Sequence, residues 1–171
     1  LVKSSAASDV YKRQINNNTR RISVFLPLIF LILVFIQIVV GAFVSGMDAG
    51  KIYNSWPLMG NTYFPNDNDF RDLFRISAFS DPSLVQFMHR NLAYLIMFFY
   101  FFIFYKIYKN KIYDLYKSIN ILGIFIILQI ILGIYTVIYG AQLYIAAMHQ
   151  LSSIFLVSSC IYFFYINTRF N

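Results

Sequence analysis

Glutamate is missing from this 171-residue chain, and all seven of its acidic residues are aspartate. Charge of either sign is scarce: 12% of residues carry it, about half the share of an ordinary soluble domain. Cysteine occurs once, as Cys160, which excludes an internal disulfide framework and a cysteine-built zinc site. Disorder is excluded as well, because 59% of the residues are hydrophobic and 20% aromatic, the reverse of a disordered composition. The formal net charge is +7, yet the 14 Lys and Arg are scattered through the connections between apolar runs. They do not form the patch that nucleic acid would need. What the sequence does hold is long uninterrupted apolar stretches, and these mark a membrane protein.

Residues 1–14 (LVKSSAASDVYKRQ) follow neither a helix nor a strand pattern. They read as a non-native leader, of the kind a sequencing adaptor leaves on a gene fragment, so 15–171 is taken as a four-helix membrane domain with sequence missing upstream. Within it, residues 23–44, 84–105, 118–139 and 143–166 are each long enough to cross a hydrocarbon core of about 30 Å. Helices are favoured over strands, since lipid cannot satisfy an open sheet edge. The expected fold is an all-α transmembrane four-helix bundle with a long outer loop, 45–83, between its first two helices. Arg20 and Arg21 precede the first span, Lys106, Lys109, Lys111 and Lys117 link the second and third, and Arg169 follows the fourth. The positive-inside rule therefore places both ends of the domain in the cytoplasm and the long loop outside. In that loop Tyr53, Trp56 and Tyr63 are expected interfacial anchors, and residues 70–79 a short amphipathic helix on the membrane surface.

The spans repeat. The first carries Gln37-x-x-x-Gly41 and the third Gln129-x-x-x-Gly133, each followed by a descending helix with one histidine in its opening turns. The unit is a helical hairpin used twice in the same orientation, as in parallel membrane repeats. The Gln and Gly pair also has the composition of a close-packing seam.

His89 and His149 are the only histidines. His89 lies about 7–8 Å beyond Leu84 along its helix and His149 about 9 Å beyond Leu143, so the repeat brings both rings to one depth. Two imidazoles facing each other across a bundle is the arrangement of bis-histidine haem ligation. Ala93, Ala146, Ser152 and Ser153 lie within a turn of the histidines and leave room for a porphyrin, and Arg90 is placed to meet haem propionates. Two neutral nitrogens without a carboxylate or thiolate suit zinc or non-haem iron poorly. Cys160, about 16 Å further along the fourth helix, is too far away to join them. Intramembrane ionisable residues are functional candidates. On these residues alone, a di-histidine membrane cytochrome b acting as an electron carrier remains open, as does a transporter or scaffold bundle with structural histidines.

The motifs also resemble a known family. Gly41-Ala-Phe-Val-Ser-Gly-Met-Asp-Ala-Gly50 with Tyr53-Asn-Ser-Trp-Pro-Leu-Met59, Gln86-Phe-Met-His89-Arg90, Leu128-Gln-Ile-Ile-Leu-Gly133 and Ala146-Ala-Met-His149-Gln150 are similar to the carboxy-terminal half of the haem A synthase family. The similarity runs over residues 22–165. It implies a membrane oxidoreductase of two four-helix halves that converts haem O to haem A for cytochrome oxidase, in a bacterial cytoplasmic or mitochondrial inner membrane. It further implies haem b held by His89 and His149, with iron as the metal. The partners it implies are membrane lipid, haem O bound by an amino-terminal half, haem O synthase and cytochrome oxidase assembly factors. The chain departs from the family pattern in having no glutamate and no second histidine pair. The catalytic half is therefore expected to be absent, and the fragment alone inactive.

Overall fold

The computed structural model describes residues 21–169, and the expected leader 1–14 lies outside them. Among the described residues there are four α-helices: α1 (Phe25–Gly46), α2 (Pro82–Lys109), α3 (Tyr113–Ile138) and α4 (Leu143–Thr168). All four are long and apolar enough to cross a membrane. Among the described residues there is no strand, only an isolated bridge between Met59 and Thr62. The protein is an all-α, multi-pass membrane bundle, the form in which every backbone group in lipid bonds within its own segment.

Local sequence sets the helix ends. The Asp81 carboxylate accepts from the Leu84 amide at 3.0 Å, and Pro82 sits in the first turn, where its missing N–H costs nothing. Lys106 and Lys109 close α2 with positive charge at the negative end of its dipole. The turn into α3 passes through Lys111 in the left-handed region at φ 53°, and the turn into α4 uses Gly140 at φ 63°, where glycine pays no steric cost.

Each helix packs against its neighbours in sequence, and α4 closes the ring against α1. α2 and α4 therefore lie diagonally across the bundle. The buried apolar cluster is made by Phe30 and Val34 of α1, Ile96 to Ile107 of α2, Leu115 to Ile126 of α3 and Leu156 to Ile166 of α4. All of these lie in the half of the bundle remote from the long loop. A side chain at Gly123 would run into the Tyr100 hydroxyl, so the absent side chain there leaves room for the Tyr100 ring. At the same end the Asn167 amide bonds the backbone on both sides of Ile22, donating to its carbonyl at 3.1 Å and accepting from its N–H at 3.3 Å. Large apolar residues such as Ile32, Phe98, Ile124 and Leu151 point outward, as lipid demands.

The long loop is tied down along its length. Asn54 donates to Gly50 O at 2.9 Å and to Val137 O at 3.0 Å, which joins the loop to the end of α3. Tyr53 and Ser83 hydroxyls both donate to the Asp67 carboxylate, at 3.0 and 2.6 Å. The amphipathic helix expected over 70–79 is instead two 3-10 turns, Phe70–Phe74 and Ile76–Ser80, separated by Arg75 in an extended conformation. A five-residue turn is too short to repay α-helix nucleation. The Asp69–Asp72 capping box satisfies the first turn locally.

Candidate functional site

The site lies in the half of the bundle that the apolar cluster leaves free. His89 is about 10 Å from the start of α2 and His149 about 9 Å from the start of α4. The two helices run the same way on opposite corners, so both rings face the bundle interior at one level.

Both hairpins build the same surroundings. In the first, the Gln37 amide donates to the His89 carbonyl at 3.0 Å and its nitrogen is 3.3 Å from His89 Nε2. In the second, the Gln129 amide donates to the His149 carbonyl at 3.1 Å and to Ser152 Oγ at 2.7 Å. One turn further along α1 and α3, Gly41 and Gly133 lie against the imidazoles. A Cβ on Gly41 would stand 3.0 Å from His89 Cε1, and one on Gly133 3.2 Å from His149 Cε1. The glycines are thus the space into which the rings fit. The Gln-x-x-x-Gly repeat is a histidine cradle as well as a helix seam.

Each ring keeps one nitrogen that the protein does not satisfy. Nδ1 of His89 and Nδ1 of His149 are both buried without a hydrogen-bond partner, and so is Gln37 Oε1. A buried polar atom left unpaired costs about 1–3 kcal/mol. Two imidazoles at one depth on diagonal helices present the donor set for a planar metal-bearing group between them. Among the described residues no group of three or more His, Cys, Asp or Glu comes together. Cys160 is buried in the apolar cluster, away from the histidines.

Arg90 is buried, at 9% exposure, and reaches toward the loop. It donates through one terminal nitrogen to Ser55 O at 2.8 Å and Leu58 O at 3.3 Å, and through the other to Tyr53 O at 2.8 Å. Gln86, one turn earlier, donates to the same Tyr53 carbonyl at 3.0 Å. These two residues fasten the loop above His89, and Gln150 reaches Ser45 at 3.3 Å to join α4 to α1 beside His149. The loop-fastening role of Arg90 and Gln86 is not visible in the spans alone, since its acceptors are carbonyls. The bonds made by Gln37 had a signal: it is the only polar side chain of α1 between its two ends. Ser152, read from sequence only as a small residue, is a hydrogen-bonding hub.

Comparison with known proteins supplies the wider frame. The profile of the COX15-CtaA family, described as cytochrome oxidase assembly protein, matches residues 3–161. Heme A synthase of Pelagibacter ubique is 43% identical over 148 residues, 84% of this chain and 44% of that protein. Heme A synthase of Rickettsia felis is 36% identical over 148 residues, covering 82% of this chain and 43% of the relative. That of Flavobacterium johnsoniae is 35% identical over 133 residues, with 74% and 38% covered. The chain spans less than half the length of these curated relatives. No solved structure matches it significantly. With a family profile covering nearly all of its length, the chain belongs to the COX15-CtaA family of cytochrome oxidase assembly proteins.

Proposed function

We propose that this chain is the haem-b-holding half of a haem A synthase-like membrane oxidoreductase, acting in the conversion of haem O to haem A. His89 and His149 would hold the haem iron. The observation that carries this is the pair of matched cradles: two imidazoles at one depth on diagonal helices, each set against a glycine and each with its backbone carbonyl bonded by a glutamine. A haem between two imidazoles supplies one-electron transfer with no open coordination position. The chain's own part is to hold and orient the rings through Gln37, Gln129 and the packing of Gly41 and Gly133. Arg90 keeps the loop over the site and adds positive charge beside the haem carboxylates. The haem O pocket, the glutamate-dependent oxidation and contacts with haem O synthase or oxidase assembly factors belong to a separate four-helix half, so this chain alone turns over nothing. The basic end of the bundle faces the cytoplasm of a bacterial cell and the long loop faces outward.

The test is direct. Expressed with haem supplementation and purified in detergent, the chain should show a low-spin bis-imidazole spectrum, which His89→Ala and His149→Ala each abolish. A colourless wild-type protein would overturn the haem assignment. Haem A formed from haem O by this chain alone would overturn its passive role.

A further inference from the structure

The two cradles differ in one bond. Gln37 Nε2 lies 3.0 Å from the His89 carbonyl. A carbonyl only accepts, so the amide must present its N–H side there, not its oxygen. The same nitrogen is 3.3 Å from His89 Nε2. An amide nitrogen only donates, so that ring nitrogen accepts and the imidazole proton sits on Nδ1. In the other hairpin both amide hydrogens of Gln129 are spent, on the His149 carbonyl and on Ser152 Oγ. The Ser152 hydroxyl donates in turn to the His149 carbonyl at 3.0 Å. Neither hydrogen of the Gln129 amide therefore reaches a ring nitrogen of His149. The residue three after His89 is Leu92, which offers no acceptor, so the second hydrogen of Gln37 is left for the ring.

We propose that Gln37 is a positioning residue that holds the Nε2 lone pair of His89 and competes with iron for it, while Ser152 withholds Gln129 from His149. The two ligands are therefore unequal, and His89 lets go first. This rests on the bis-histidine haem reading above. Released, His89 regains a donor already in place, whereas His149 would be left with its nitrogen unpaired. A small exogenous ligand thus enters on the His89 side, favoured about 2–10-fold, the worth of one such hydrogen bond.

The haem-loaded chain, reduced with dithionite, is titrated with carbon monoxide as wild type, Gln37→Leu and Gln129→Leu. Gln37→Leu should keep the low-spin spectrum and weaken carbon monoxide binding about 2–10-fold, clearly more than Gln129→Leu does. Equal effects in the two variants, or tighter binding in Gln37→Leu, would overturn the release order. Nitrogen-15 NMR of histidine-labelled, haem-free chain reads the hold itself. His89 should show a protonated Nδ1 and bare Nε2, and Gln37→Leu should erase that preference while His149 is unchanged in Gln129→Leu. A wild-type His89 protonated at Nε2 refutes the role of Gln37. If the chain takes up no haem, the haem reading and the release order fall together, and the nitrogen-15 result still decides whether Gln37 holds His89.

Discussion

Replacing Arg90 by leucine should loosen the long loop far more than the bundle. Summing three charge-assisted bonds would suggest a loss of about 5–9 kcal/mol. The structure argues for much less, because two of the three acceptors keep another donor. Tyr53 O retains Gln86 at 3.0 Å and Leu58 O retains the Ser55 hydroxyl at 2.9 Å. Only Ser55 O is stranded. One half-buried carbonyl without a partner costs at most about 1–3 kcal/mol, and removal of a desolvated cation offsets part of the effect on the whole protein. The loop should therefore open about 5–150-fold more often, at 1.4 kcal/mol per tenfold. Hydrogen exchange reads this at two amides: Met59, which donates to Thr62 O at 2.7 Å, and Gly60, which donates to Ser55 Oγ at 2.8 Å. Both should exchange faster in Arg90→Leu, with amides of α3 unchanged. Arg90→Lys should fall between, since one ammonium cannot span carbonyls on both sides. Unchanged protection at Met59 and Gly60 in a folded Arg90→Leu protein would refute the reasoning. An equal rise throughout α2 would refute it too.

Three further outcomes follow from the packing and the loop. Gly41→Ala and Gly133→Ala should each lower haem occupancy, by overpacking worth about 1–3 kcal/mol. Gly41→Ala should be the more severe, because its methyl would stand 3.0 Å from the imidazole against 3.2 Å at Gly133; equal occupancy of both variants and wild type, by absorbance, would contradict the cradle. Asn167→Leu strands the N–H and carbonyl of buried Ile22 at about 1–3 kcal/mol each, so the bundle should unfold at clearly lower SDS concentration. Asp67 should make the loop acid-sensitive. Burial pushes its carboxyl up, but the Ser83 and Tyr53 hydroxyls outweigh this and hold it below its usual 3.8. Its contribution is thus present above 3.8 and is lost as pH falls through the depressed folded value. Loop exchange corrected for intrinsic rate should rise in that acid range, and Asp67→Asn should remove the dependence.

The spans and their order were legible because hydropathy reports lipid contact. It does not report where a helix stops. α2 runs to Lys109 and α3 begins at Tyr113, beyond the apolar limits of 84–105 and 118–139, because water-exposed turns keep their hydrogen bonds. Asp81-Pro82 was a start signal in plain view, two residues before the apolar run. The histidines and the Gln-x-x-x-Gly repeat pointed to the site, since polar residues in a hydrocarbon span have few reasons to exist. The loop was the least legible part. Its fastening depends on backbone carbonyls at residues 53–58 meeting Arg90 and Gln86 from another element, and no periodicity encodes that. The 3-10 turns over 70–80 share an amphipathic pattern with a helix, so composition could not separate the two.

The one-sided placement of the apolar cluster bears on how the molecule is made. Phe30, Ile103, Leu122 and Phe163 and their neighbours meet without help from anything beyond the chain. The helices can therefore be gathered at one end while the histidine end is still open to late occupancy. With haem in the proposed site, protein first and pigment second would be the order of biogenesis such a bundle permits.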